Sequence, residues 1–538
     1  MHYTLDALVV ATYFIVVIGI GLTKGRGDHT MEGFAMGGRQ IPWWAVLASI
    51  LAAEISAATF LGAPGEGYAL RNFTYAQLAI GTVLARIIVS YIFIKAYYDY
   101  NVVSIYEFLC IRFGVVTRNG ASAVFLLTRS LASGTRLYVA AVILVLAVEM
   151  FTGVKPTPRQ ELWIYVGALT IITLLTAVYT TAGGIKAVVW TDVIQASVMF
   201  GSLGFAIWML ISHIPGGWDG AMKMLDKPTD LQFWDAGLKE GATLWQNIKG
   251  ILESEYTLWV AFLGSTFVTM ATHGTDQDMV QRMLTAKDHR RSRLALILSG
   301  LADVPIVLCF LMVGILLWAF YQTHPDPHLP TKNPHIFAYY ILHELPAGVR
   351  GLLVAGIFAT AMGSLSTALN ALATSFTKDW YLPYIRPDAD ERSIVRAARW
   401  STVVFAVLLI VIGSITAWAV IVMPKSRIIP IVLGVFGYTY GSLLGVFLVG
   451  MLTKTRGSEF GNILAMICGF VFVSIMSGLH NDILSLLEMK RFYQPDWLPV
   501  IEFPWRVMFG TVMTFAIAIS FRTPEEQVNL RFGNSTLP

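Results

Sequence analysis

Apolar positions in this chain fall in long runs rather than in the alternating pattern of a strand. Runs of roughly 20 such residues cross the hydrocarbon layer of a bilayer. About thirteen occur, near 6–23, 42–70, 74–96, 121–150, 162–180, 188–211, 256–275, 294–321, 350–377, 398–422, 427–451, 457–478 and 501–521. Each predicts a helix, because lipid offers backbone N–H and C=O groups no partner. Two runs look interrupted. The second carries "ILAAEISAATFLGAPGEGY", with Glu54 near its middle and Gly62, Pro64, Gly65 and Gly67 soon after. In the seventh, "FVTMATHGTDQDMVQR", polar residues break in at 273–278. Broken helices at matching places, five spans apart, point to an inverted repeat with a site at mid-membrane.

The ninth run holds many hydroxyls. Val354, Phe358, Met362, Leu365, Leu369, Leu372 and Phe376 recur at helical steps and form a bulky stripe that suits lipid or packed neighbours. Gly356, Thr360, Gly363, Thr367, Ala371 and Thr374 form a second, small stripe, flanked by Ser364, Ser366 and Asn370. Such a face permits close helix packing. It also offers oxygen ligands to a hard monovalent cation, and both readings stand on the residues alone.

Composition supports a polytopic membrane protein: of 538 residues 56% are hydrophobic and only 13% charged. The first run lacks the basic flank and small-residue exit of a cleaved signal. Cys110, Cys309 and Cys468 are too widely spaced to imply a disulfide framework or a zinc site. The net charge of +4 reflects topology rather than nucleic-acid binding. Basic residues are dense at 282–293 ("RMLTAKDHRRSR") and 378–399, on one side of the membrane if the spans alternate. The positive-inside rule makes that side cytoplasmic, with the N-terminus outside, the C-terminus inside and the 212–255 loop external. Trp43, Trp44, Tyr97, Tyr98 and Trp318 fall near run ends, as interfacial aromatics do. The expected location is a plasma membrane, such as a bacterial inner membrane. No metal-ligand cluster, phosphate loop or nucleophile–base set marks an enzyme. A chain ending about 17 residues beyond its last run leaves no room for a signalling domain.

Ionisable residues within the runs are costly and read as functional by default. Glu54 is open to ion or proton coupling, solute contact, or a structural role at the broken helix. Asp276 and Asp278 are expected near the cytoplasmic end of their span, solvated and structural.

Four blocks then carry a resemblance: "AGGIKAVVWTDVIQ" (182–195), "GTDQDMVQRMLTAKD" (274–288), "SLSTALNALATSFTKDWY" (364–381) and "YGSLLGVFLVGMLTK" (440–454). In kind and order they resemble the sodium/solute symporter family, which includes proline and sialic acid carriers and sodium/glucose cotransporters. The resemblance implies an all-α, leucine-transporter-like fold: a five-plus-five inverted repeat over roughly 42–211 and 252–451, one helix before it and two after. It implies a sodium site of the Ala52, Ile55 and Thr360 carbonyls and the Ser364 hydroxyl. Position 363, commonly Ser or Thr in the family, is Gly here and lacks one ligand oxygen; a water or Glu54 would have to compensate. Asp192, Ser366 and Thr367 match a second sodium site by type. Ser56, Thr59, Gln77 and Arg136 are similar to the carboxylate-binding set of the family's sialic acid carriers, since the planar Arg fork makes two charge-assisted bonds to a carboxylate. The alternative for Arg136, as for Arg86 and Arg129, is snorkelling or pairing with an internal acid. His273 is a candidate gate residue, and Phe60, Phe262 and Phe267 suit an apolar wall or simple packing.

The expected function is sodium-coupled import of a small organic solute, an organic anion, monocarboxylate or sugar, by alternating access. Sodium is the coupling ion, with no organic cofactor and no obligate protein partner expected. The alternatives are a proton-coupled symporter using Glu54 and a transporter-like solute receptor.

Overall fold

A computed structural model describes residues 2–25, 30–422, 434–486, 489–493, 495 and 497–525. The described residues are helical apart from short connections. The long helices are α1 (His2–Lys24), α2 (Trp43–Glu54), α3 (Ala57–Leu70), α4 (Ala79–Asp99), α5 (Val115–Thr152), α6 (Pro158–His213), α7 (Ser265–Thr275), α8 (Gln277–Met283), α9 (His289–Thr323), α10 (Val349–Phe376), α11 (Glu391–Val422), α12 (Val435–Leu452), α13 (Glu459–Met476) and α14 (Phe503–Ser520), with shorter helices between them. Ten helices among the described residues are long and apolar enough to cross a membrane, or eleven with the bent pair α2 and α3 taken as one. The expected count of thirteen is not reached by that measure, for two reasons. The runs expected at 162–180 and 188–211 form one helical element, α6, interrupted only at Gly184. The run at 256–275 is a π-helical turn, Val260–Gly264, followed by the short α7. The first residues of the run at 427–451 lie outside the described residues.

A straight 56-residue α6 would be roughly 84 Å long, far beyond one membrane crossing. It is not straight. Gly184 adopts φ 52°, ψ −147°, a conformation open to glycine alone. Tyr179 and Gln195, which a straight helix would hold about 24 Å apart, meet at 3.5 Å between the Tyr179 hydroxyl and Gln195 Nε2. The chain therefore folds back on itself at Gly184.

Helix α10 lies at the centre: 83% of its most apolar stretch is buried, against 17% for α1. Its bulky stripe meets protein, not lipid. Phe358 packs on Phe14 with ring centroids 5.4 Å apart, and the Tyr13 hydroxyl points at Met362 Sδ. Tyr97 is fully buried and donates to the Gly274 carbonyl at 2.5 Å, so it is not an interfacial aromatic as expected from its place near a run end.

Both expected interruptions are present. Between α2 and α3 the axis bends by 66°, with Ile55 and Ser56 extended. The glycines and proline after Glu54 do not make this break, since α3 runs through Pro64. Gly67 instead lets α3 touch α9, for a Cβ there would stand 2.3 Å from the Leu311 carbonyl oxygen. The second break is the extended Asp276, between α7 and α8.

Candidate functional site

At the first break the last carbonyls of α2 lose the N–H groups that a continuing helix would supply. One of them faces α10: a Cβ built on Gly363 would stand 3.0 Å from the Ala52 carbonyl oxygen and 3.1 Å from Gln195 Oε1. Ile55 is buried beside it. The hydroxyls of α10 share one arrangement. Thr360 Oγ1 donates to the Ile357 carbonyl (2.8 Å), Ser364 Oγ to Thr360 and Ala361 (3.0 and 3.1 Å), Ser366 Oγ to Gly363 (3.1 Å) and Thr367 Oγ1 to Ser364 (3.0 Å). Each hydroxyl hydrogen is taken up by its own helix, which leaves the oxygen lone pairs as acceptors. The Ala52 carbonyl thus meets the Gly363–Ser364 turn of α10 where α2 breaks, with Gln195 as an oxygen the sequence reading did not include. Ile55, just past the end of α2, and Thr360, on α10, are buried on the flanking stretches.

Asp192 lies one turn from Gln195. Its Oδ2 accepts from Ser49 Oγ at 2.5 Å and lies 3.5 Å from Arg282 Nη1, while its Oδ1 is buried with no hydrogen-bond partner. Ser366 and Thr367, its expected companions, are buried on α10.

Buried charge concentrates at the second break. Arg129 pairs with Asp276 (3.0 Å) and with Asp278; Arg282 Nη2 donates to Asp278 (2.8 Å) and Nη1 to the Ser49 carbonyl (2.6 Å). Tyr440 donates to Asp276 at 2.7 Å. This corrects the expectation that Asp276 and Asp278 are solvated: they are 0% and 1% exposed. Carboxylates at such depth persist because two arginines neutralise them. Glu54 is held likewise by Arg86, whose Nη2 bonds both carboxylate oxygens while Nη1 donates to Ser299 at 2.6 Å. Its carboxylate is therefore engaged by a cation of the protein itself, and it is not among the atoms nearest Gly363. His273 is buried, with Nδ1 3.0 Å from Thr272 Oγ1 and Nε2 3.9 Å from Glu54.

Of the solute candidates, Ser56 and Arg136 line a narrow cavity of about 20 Å³ together with Ser364 and Arg129. That volume holds one water-sized particle and no organic solute. Thr59, one turn along α3, is half-buried outside this lining. Gln77 does not join the set. It is fully buried, its amide nitrogen meets the Thr74 and Tyr256 carbonyls, and its oxygen accepts from Asp235 N at 3.1 Å, so it anchors the 212–255 loop. Phe60 packs between Phe310 and Phe337, Phe262 is 46% exposed, and Phe267 packs against the core. Arg86 and Arg129 both have acid partners. Among the described residues Arg136 forms no ion pair; its guanidinium lies 4.9 Å over the Phe436 ring. The partnering arginines had one legible signal, namely that a charge inside an apolar run requires an opposite charge.

The fold and this cleft define a polytopic carrier. The sodium:solute symporter family model matches residues 34–469, and the chain belongs to that family. The human sodium-coupled monocarboxylate transporter 1 is 27% identical over 489 residues, covering 89% of this chain and 74% of the relative. The sodium/glucose cotransporter of Vibrio parahaemolyticus is 28% identical over 491 residues, covering 87% and 84%. A solved structure of a Na+-coupled sialic acid symporter in a substrate-bound outward-open state superposes with a TM-score of 0.78 at 21% identity, covering 96% of both chains. At that identity the likeness speaks for the fold, the leucine-transporter-like architecture expected from the motifs. The relatives are transporters, not enzymes.

Proposed function

We propose that this chain is a sodium-coupled symporter that imports a small organic anion across a plasma membrane by alternating access. The observation that carries the sodium reading is the meeting of the Ala52 carbonyl with the Gly363–Ser364 turn of α10, where hydroxyl hydrogens point back into their own helix. In this reading the Ala52, Ile55 and Thr360 carbonyls and the Ser364 hydroxyl replace the ion's water without adding net charge. Asp192, Ser366 and Thr367 take a second ion. Ser56, Thr59 and Arg136 meet the solute once the cavity beside them widens, and His273 lies at the gate. Arg136 favours an anion because no internal acid pairs with it among the described residues.

The repeats run over 42–211 and 252–451, with the N-terminus outside and the C-terminus in the cytoplasm. Each charge moving inward through a potential of 100 mV gains about 2.3 kcal/mol, so two sodium ions concentrate a monoanion. Proton coupling through Glu54 is the less favoured reading, because Arg86 grips both oxygens of that carboxylate. Glu54 is better suited to closing the broken helix.

The test is uptake into proteoliposomes, with sodium replaced by choline at fixed pH and a panel of acids, sugars and amino acids. Accumulation of acids that requires sodium, and that is lost when Ser364, Ser366 and Thr367 are all changed to alanine, is expected. Undiminished uptake in choline would sink sodium coupling.

A further inference from the structure

In the sodium reading Gly363 leaves the cleft one oxygen short, and a side-chain oxygen stands beside that position. Gln195 is 1% exposed, and its Oε1 has no hydrogen-bond partner. That atom stands 3.1 Å from where a Gly363 side chain would begin, beside the Ala52 carbonyl at 3.0 Å from the same point. A buried amide oxygen left without a donor is destabilising unless something positive meets it. The other end of the amide is held, because Nε2 faces the Tyr179 hydroxyl at 3.5 Å across the Gly184 reversal.

We infer that Gln195 is a ligand of the sodium ion, its amide oxygen occupying the place of a hydroxyl at position 363. The inference rests on the sodium reading of the cleft between α2 and α10. Glycine and glutamine form a matched pair in it. Absence of a side chain at 363 clears the space, and the longer side chain fills it from α6. An amide contributes a strong oxygen dipole without a fixed charge, so the cleft keeps the balance set by Asp192 and Arg282. Gln195 follows Asp192 by three residues, on the same face of α6. The unpartnered Asp192 Oδ1 therefore belongs to the same oxygen-rich wall.

The pairing makes a specific experiment. Sodium is titrated against choline at constant ionic strength, following the thermal midpoint and tryptophan fluorescence of the purified protein. Q195A is expected to raise the half-saturating sodium concentration about ten-fold, the scale of one lost contact to a charged group, read from the sodium-dependent rise of each variant's midpoint above its own value in choline. G363S alone is expected to weaken sodium as well, because its Cβ crowds both oxygens. The double variant G363S/Q195A is expected to recover sodium binding, since the serine hydroxyl then has the room and the role. Q195E keeps an oxygen in place and is expected to bind sodium at least as tightly as the parent. An amide turned with its nitrogen toward the Ala52 carbonyl would instead make Q195E the weakest variant, which overturns the proposal. The proposal also fails if Q195A titrates as the parent does while S364A is weakened. A parent protein with no sodium response at all would remove the cleft reading itself, a different result from the failure of Gln195 alone.

Discussion

The two helix breaks differ in what fills them. The first, at Ile55 and Ser56, turns neutral oxygens toward Gly363: a backbone carbonyl, an amide and hydroxyls whose hydrogens are engaged within their own helix. The acids beside it, Glu54 on Arg86 and Asp192 near Arg282, already face cations. The second, at Asp276, is packed with full charges, Arg129 and Arg282 set among Asp276 and Asp278. Neutral oxygens exchange a small cation readily, because no formal charge is stranded when it leaves. Paired full charges hold helices together and resist separation, since removing one partner leaves a buried charge uncompensated. The same device, an unwound turn in a membrane helix, thus serves exchange in one place and clamping in the other.

The largest expected effect lies at the clamp. Arg129→Met leaves Asp276 and Asp278 short of a counter-charge and is expected to remove about 3–5 kcal/mol of stability. Fluorescence-detected size exclusion and melting in choline would register it; a normally stable variant would break the comparison. Next comes Arg136→Ala, in which loss of a charge-assisted contact is expected to weaken acid binding by about 2–3 kcal/mol. Neutral solutes and the melting midpoint are expected to be unaffected in a thermal-shift panel, and equal weakening of every ligand would count against an anion site. At the first break, Ser364→Ala is expected to weaken sodium by about 1.5 kcal/mol with little change of stability in choline, the reverse of the Arg129 signature. The smallest effect is expected from Gln77→Ala, about 1 kcal/mol of stability from the freed loop, with sodium affinity unchanged. A shift in sodium titration there would mean that the 212–255 loop communicates with the cleft.

Much of this was legible from residues, but unevenly. The helical class follows from run length, and the first break was found because Glu54 and a cluster of glycines stand together, although those glycines serve helix contact rather than the bend itself. That one face of α10 admits a close neighbour follows from the small-residue stripe; that the neighbour is α2 came only from the resemblance. Periodicity says which residues share a face but not which neighbour the face meets, so Gln77 was assigned to the solute and proves to hold a loop. The bulky stripe of α10 was open to lipid and proves to meet α1. Asp276 and Asp278 look like a solvated span end because they sit among polar residues, and only the approach of Arg129, about 150 positions earlier in the chain, explains their burial. Gln195 lay inside a quoted motif unremarked; its significance appears only when the empty side of Gly363 is measured against it.

Gly184 has a mechanical consequence. The polypeptide turns back within one residue there, and the adjoining Gly183 presses on Gly25 so closely that neither admits a methyl group. Two arms joined by so tight an elbow have no slack to slide past one another. If the arm carrying Asp192 and Gln195 swings, the arm bearing Tyr165, whose ring centroid lies 4.8 Å from that of Tyr138, must swing about the same pivot. With the second arm roughly 40 Å long at 1.5 Å per residue, a tilt of a few degrees at the elbow becomes a displacement of ångströms at its far end, a lever made from a pair of glycines.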